Sequence, residues 1–193
     1  GGRASNQSDV SVSRRAARSG AISGTGGLAK SGGGDLTVSG AGSTDAGQTG
    51  IAEGALIAGA ADSLSANSVH TVGQGGRLDM SGAGREQTIA GLAGTGLVAL
   101  GGNTLGIATN TASASHSFSG ALTGNAASGI SKSGPGAQSF SLESLAGVAG
   151  GLAGHGPAGD AQLSVLPPRG PTDRVLPGAP PGDGRLRRDR AGT

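Results

Sequence analysis

Short runs of alternating apolar and polar residues recur along the middle of this chain, each closed off by Gly, Ser, Thr or Asn. In "DLTVSG", Leu36 and Val38 fall on one side of an extended backbone and Thr37 and Ser39 on the other. "GRLDMSG" does the same with Leu78 and Met80, "TLGIAT" with Leu105 and Ile107, and "QSFSL" with Phe140 and Leu142. A period of two over four to six residues, bounded by turn formers, predicts β-strands with one buried face. No sustained helical stripe competes. "GLAGTGLVALGG" contains good helix formers, but each Gly inside a helix would cost about 1 kcal/mol.

Composition narrows the interior. The 193 residues include 42 Gly, two Phe, no Trp, no Tyr and no Cys. Such a chain must build its core from small aliphatic side chains. This much Gly points to a repetitive fold or to disorder, and its irregular spacing excludes collagen. Without Cys there are no disulfides and no thiolate metal sites, which suits a protein that crosses compartments. No apolar run reaches the roughly 20 residues of a membrane helix, and no signal peptide is visible. We read the sequence as a fragment.

Charge divides the chain into three. Residues 1–20 carry Arg3, Arg14, Arg15 and Arg18 against Asp9, and form a polar, basic lead-in expected to be irregular. Residues 21–166 hold four cations (Lys30, Lys132, Arg77, Arg85) against eight acids, a net charge of −4. Residues 167–193 hold six Arg, three Asp and six of the eight Pro. A nucleic-acid protein would carry its positive charge on the folded surface, so no nucleic-acid partner is expected. We expect the strand texture to fill residues 21–142. Residues 143–193 read as a disordered tail, either a basic linker or sequence translated in a shifted frame, because such Pro density forbids stacked strands. "ESLAGVAGGLAG" within it has the makings of a short, unstable helix.

Several motifs invite a chemical reading. Gly24, Gly26 and Ala29 fit G-x-G-x-x-A, and "GTGGLAKS" (24–31) lies one residue from a phosphate loop. The phosphate loop needs Gly where Ala29 stands, and the dinucleotide motif needs a following helix where "SGGGDLTVSG" predicts a turn and a strand. "GTGLVA" (94–99) fails in the same way. Repeat turns account for both. His70, His116 and His155 lack zinc-ligand spacing and read as surface or turn residues. Asp35, Asp45, Asp62 and Asp79 lie at or near turns. Calcium is conceivable there, but "GGRLD" departs from the calcium nonapeptide, and Asp in a turn more often bonds its own backbone. No G-x-S-x-G or G-D-S-G nucleophile occurs. We therefore expect no catalytic, cofactor-binding or metal-binding residues, and no cofactor.

An internal repeat aligns "LAKSGGGDLTVSG" (28–40) with "ISKSGPGAQSFSL" (130–142), so that Lys30 and Lys132 correspond, 102 residues apart. It suggests that the chain has returned to the start of one large unit. With it, "AISGTGGLAKSGGGDLTVSGAGSTDAG" (21–47), "QTGIAEGALIAG" (48–59), "GGRLDMSGAGREQTIAGLAGTGLVALGGNTLGI" (75–107) and "HSFSGALTGNAASGISKSGPGAQSFSL" (116–142) follow one another in order. This series resembles the autotransporter-associated β-strand repeat of bacterial autotransporter passengers. It departs in lacking an aromatic at "GAGSTDAG" and in stopping after Leu142.

The resemblance implies an all-β, right-handed parallel β-helix with disordered flanks, exported through an outer-membrane barrel that the full-length protein would carry at its C-terminus. It implies a structural and adhesive surface stalk outside a Gram-negative cell, without enzymatic activity, with host or neighbouring-cell surfaces as partners. Coils of ~20 residues stacked at ~4.8 Å would make about six turns of residues 21–142. Open strand edges without polar caps would favour end-to-end self-association. The alternative is a polysaccharide-degrading enzyme on the same scaffold, with acids from neighbouring coils brought together. A third is a Gly/Ser-rich chain with no fold.

Overall fold

The computed structural model describes residues 8–11, 14–155 and 162–166. They form sixteen strands and one short helix. The first are β1 (Ser8–Ser11), β2 (Ala16–Arg18), β3 (Leu28–Ser31), β4 (Leu36–Val38), β5 (Thr49–Ala58) and β6 (Val69–Asp79). Next come β7 (Gln87–Ile89), β8 (Gly91–Gly94), β9 (Leu97–Ala99), β10 (Thr104–Ala108), β11 (Ser115–Phe118) and β12 (Ala121–Thr123). The last are β13 (Gly129–Ser133), β14 (Ala137–Ser141), helix α1 (Leu142–Leu145), β15 (Leu152–His155) and β16 (Gln162–Leu166).

Every pairing between these strands is parallel, and each strand pairs with strands about one coil before and after it in sequence. The result is a parallel β-solenoid of about six turns. Its first face runs β1-β3-β5-β6-β8-β11-β14-β16. The second face stacks β2, β4, the C-terminal halves of β5 and β6, β9 and β12. The third is the sheet β7-β10-β13-β15. On the first face Ser8 pairs with Leu28, Leu28 with Thr49, Thr49 with His70, and Ala137 with Gln162, so a coil takes 20 to 25 residues.

Period-two alternation places the core. On the second face Leu36, Leu56, Leu78, Val98 and Leu122 stack on one another, each at most 1% exposed. Val38, Ala58, Met80 and Leu100 lie buried beside them. Leu105 and Ile130 form a pair of rungs on the third face. Burying a side chain of this size is worth about 1.5–3 kcal/mol, so the stacked rungs together supply the stabilisation that the missing aromatics do not. The two Phe are themselves consecutive rungs. Phe118 and Phe140 are both fully buried and meet edge to face at 6.4 Å. One coil earlier the same ladder position is Gly94.

The structure departs from the sequence reading at both ends of residues 21–142. Strand β2 pairs with β4 before that range begins, and β15 and β16 continue the ladders after it. Leu142 was expected inward beside Phe140. It is 53% exposed and opens α1 instead, with the Ser141 hydroxyl accepting a bond from the Ser144 N–H at 3.2 Å as its N-cap. Helix α1 lies against β12, Leu145 packs onto the core, and only Gly147 bridges back to Thr123. The open edge of the second face is thus covered by a helix, a cap that the strand pattern did not reveal. The Pro/Arg-rich tail from residue 167 onward lies outside the described residues.

Corners explain the glycines. Gly94 has φ +108°, and a Cβ there would land on the Val72 carbonyl of the coil below. Gly33 is exposed and has no atom within 4 Å of where its Cβ would be. Gly94→Ala should lower stability by more than about 2 kcal/mol, and Gly33→Ala should leave it within about 0.5 kcal/mol. Urea unfolding of the two variants checks this, and equal midpoints would refute the corner argument.

Candidate functional site

The Lys-Ser-Gly motif is the natural starting point, because sequence alone lends it a phosphate-binding appearance. Lys30 sits on β3 with its side chain fully buried. Its Nζ donates to the carbonyls of Ser31 (3.1 Å), Gly32 (2.6 Å) and Glu53 (2.9 Å). The ammonium has three donors, and all three are engaged. Lys132 repeats the arrangement on β13, donating to Ser133 (2.6 Å) and Gly134 (2.9 Å). Gly32 and Gly134 both have φ +76°, which turns their carbonyls toward the ammonium. Burial holds both lysines below the ordinary lysine pKa, offset at Lys30 by the charges of Asp35 and Glu53. In the neighbouring coil the Lys30 position is Ile51, and the Lys132 position is Ile107. The aliphatic stem replaces an isoleucine in the core, and the charged tip ties the corner.

The two copies of this motif do not mark one repeated unit. Lys30 turns the chain from the first face to the second, and Lys132 turns it from the third to the first. Their spacing of 102 residues is not a whole number of coils. The repeat is a corner device used twice, on different sides of the solenoid.

Two buried glutamines act as surrogate backbone. The Gln138 carboxamide accepts from Leu92 N–H (3.1 Å) and donates to Leu92 C=O (2.9 Å), two coils away. It fills the place where β11 parts from β8, which share the single pair Gly94 with Phe118. Gln87 accepts from Leu64 N–H (3.1 Å) and donates to Ala60 C=O (3.0 Å), holding a segment that forms no strand of its own.

Of the three histidines, only His70 is shown to depart from the expectation of a surface or turn position, while His116 and His155 lie on strands β11 and β15. His70 is 1% exposed, an inward rung between Thr49 and Leu92. Its Nδ1 faces the Ser68 carbonyl at 3.2 Å, so the neutral ring donates from that nitrogen. Burial lowers its pKa to about 4. His116 is half-buried, and desolvation together with the charge of Lys132 lowers its pKa as well.

The aspartates are separate from one another. Asp35 lies 3.7 Å from Arg15, and Asp79 pairs with Arg77 at 2.7 Å. Asp79 also accepts from the Ser81 N–H and hydroxyl, closing its own turn. Asp62 occupies a turn with φ +52°. Asp45 is buried, and that burial raises its pKa. Among the described residues no three His, Asp or Glu converge as a metal site.

Among the described residues, two surface depressions stand out. A shallow groove of about 440 Å³ crosses the first face over Ala29, Gly50, Thr71 and Gly73, and its lining is mostly apolar. A smaller cleft of about 260 Å³ lies at the corner between the third and first faces. Asn67, Thr109, Asn110, Thr111 and His116 line it, over Val69, Ala90 and Ala114. These cleft residues carry no motif, and only the fold brings residue 67 beside residue 110. No protein-family model, curated protein or solved structure matches the chain. The class that the architecture defines is the parallel β-solenoid.

The buried His70 makes stability depend on acid. Its folded pKa lies below the unfolded value near 6.5, so its stabilising contribution is complete above pH 6.5 and is lost as pH falls toward about 4. The loss amounts to about 3 kcal/mol. Asp45 acts in the opposite sense, since a raised folded pKa favours the fold at lower pH. Unfolding free energies measured from pH 7 to pH 4 should fall less steeply in His70→Leu than in the parent chain. Parallel curves would show that the imidazole is not held neutral.

Proposed function

We propose that this chain is a structural and adhesive segment of a secreted autotransporter passenger, a non-enzymatic stalk presented outside a Gram-negative outer membrane. The observation that carries this reading is the first-face ladder of eight parallel strands, from β1 to β16. Such a ladder makes a stiff rod that grows by adding coils, which suits a spacer holding a contact surface away from a membrane. The ordered resemblance of residues 21–142 to the autotransporter repeat supplies the secretion route and the cell-surface setting. The absence of Cys fits a chain that folds after export without oxidative chemistry. Host or neighbouring-cell surfaces are its partners in this reading, and an outer-membrane barrel its anchor.

The test couples two assays on the purified chain. Beads coated with the protein should adhere to epithelial or bacterial cells above beads coated with albumin. The same preparation should release no reducing ends from neutral or acidic polysaccharides. Turnover abolished by a single substitution such as Asp62→Asn would replace the stalk with a β-solenoid enzyme. Coated beads that bind no cell would remove the adhesive part.

A further inference from the structure

Residues 59–68, between β5 and β6, cross the side of the solenoid on which the third sheet has not yet begun. They form no strand and lie against β7, the first strand of that sheet, which among the described residues pairs only with β10. Few backbone bonds hold this strap. From Ala60 to Ser68, its carbonyls accept from the next coils at Asp62 (Gly42 N–H, 2.8 Å) and at Ser68 (Ala90 N–H, 3.0 Å). Side chains supply the other ties. Gln87 holds Ala60 and Leu64, and the Ser65 hydroxyl donates to Asp45 C=O at 2.7 Å. The Ser68 hydroxyl donates to Gly47 C=O at 2.6 Å and meets the Thr49 hydroxyl at 2.9 Å. Ser63, Ser65 and Ser68 are buried, and Leu64 joins the core.

The end of the strap is tied to His70. The Ser68 carbonyl that accepts from Ala90 also faces His70 Nδ1 at 3.2 Å, so one oxygen joins the strap, the ring and the next coil. Among the described residues Nε2 has no hydrogen-bond partner, and a second proton there would put a charge in the core without an acceptor. The titratable groups around it do not supply one. Glu53 on β5 is exposed at a corner, Arg77 and Asp79 on β6 pair with each other on the second face, and β7 and β8 carry none. Asp62 is exposed on the strap, and the His116 ring lies against Gly91. Asp45, buried in the preceding coil with its pKa raised, turns neutral in acid and so favours the closed form. A charged ring has to reach water. β5 and β8 hold β6 through eight and four paired residues, so the strap is the neighbour with the fewest bonds to lose.

We propose that residues 59–68 are an acid-released strap latched by His70: protonating the ring lifts the strap off β7 and opens that side of the solenoid, while the stacked rungs of the second face stay in place. The device does not depend on the autotransporter assignment, and it confines the first response to acid to one element of the fold.

The test places single thiols in the whole chain, which has no Cys of its own. Ser63→Cys probes the strap and Val98→Cys the second-face core, both at buried positions. Each is labelled from pH 7 to pH 4 with dithiodipyridine, which reacts with thiols in acid, and rates are divided by those of free cysteine at the same pH. A ring with a pKa of about 4 when closed and near 6.5 when open raises the open fraction about a hundredfold over this range. Labelling of Ser63→Cys should therefore accelerate at least tenfold more than that of Val98→Cys, with the far-UV circular dichroism unchanged. The rise should follow the NMR titration of the His70 ring in the Ser63→Cys chain. His70→Gln, which keeps a donor but does not titrate, should abolish it. Equal acceleration at both thiols, no acceleration at Ser63→Cys, a rise that does not track the His70 titration, or one that persists with His70→Gln would overturn the proposal.

Discussion

The hydrogen bond from one coil to the next is the interaction on which everything else here rests. A parallel strand satisfies its N–H and C=O groups only through the strands on either side, and in a solenoid those belong to the preceding and following coils. That requirement holds successive coils about 4.8 Å apart and forces each inward residue to pack against its equivalent one coil away. The ladder Leu36–Leu56–Leu78–Val98–Leu122 is the direct consequence. So is the need for Gly where a corner approaches its neighbour, as Gly94 approaches Val72.

The same constraint explains why polar side chains occur in the interior. Wherever corners or unequal coil lengths interrupt the ladder, buried backbone groups lose their partners. Lys30 and Lys132 return donors to corner carbonyls, while Gln87 and Gln138 supply a donor and an acceptor each. A charge buried in this way is tolerable because carbonyl dipoles surround it, and its lowered pKa records the remaining penalty. Thr109, whose buried hydroxyl has no hydrogen-bond partner among the described residues, is the place where this logic is not completed.

Much of this was legible in the sequence, and the part that was not has a physical pattern. Leu36 with Val38, Leu78 with Met80, and Leu105 with Ile107 are buried as their alternation predicts, and the parallel solenoid is the fold that the resemblance to the autotransporter repeat implies. The buried Lys, His and Gln were not visible, because a polar letter at an inward position breaks the very alternation used to read it. Lys30 and His70 thus read as turn or surface residues. Leu142 misled in the other direction, since it continues the alternation but begins a capping helix. The repeated Lys-Ser-Gly looked like a return to one position, yet similar corners occur between different faces. The cleft at Thr109 could not be read at all, since it depends on the stacking of coils whose residues lie more than 40 positions apart.

The central claim is the in-register stacking of coils, and the absence of native Cys permits a direct measurement of it. Ser117 and Ser139 are outward-facing partners on β11 and β14. Strand partners lie within the 4.4–6.8 Å Cα separation that a disulfide spans. Ser117→Cys combined with Ser139→Cys should form an intramolecular disulfide under mild oxidation, detected by mass spectrometry. Ser117→Cys with Ser141→Cys, two residues out of register, should remain reduced under the same conditions. Equal crosslinking of both pairs, or none in the first, would contradict the ladder on which the fold depends.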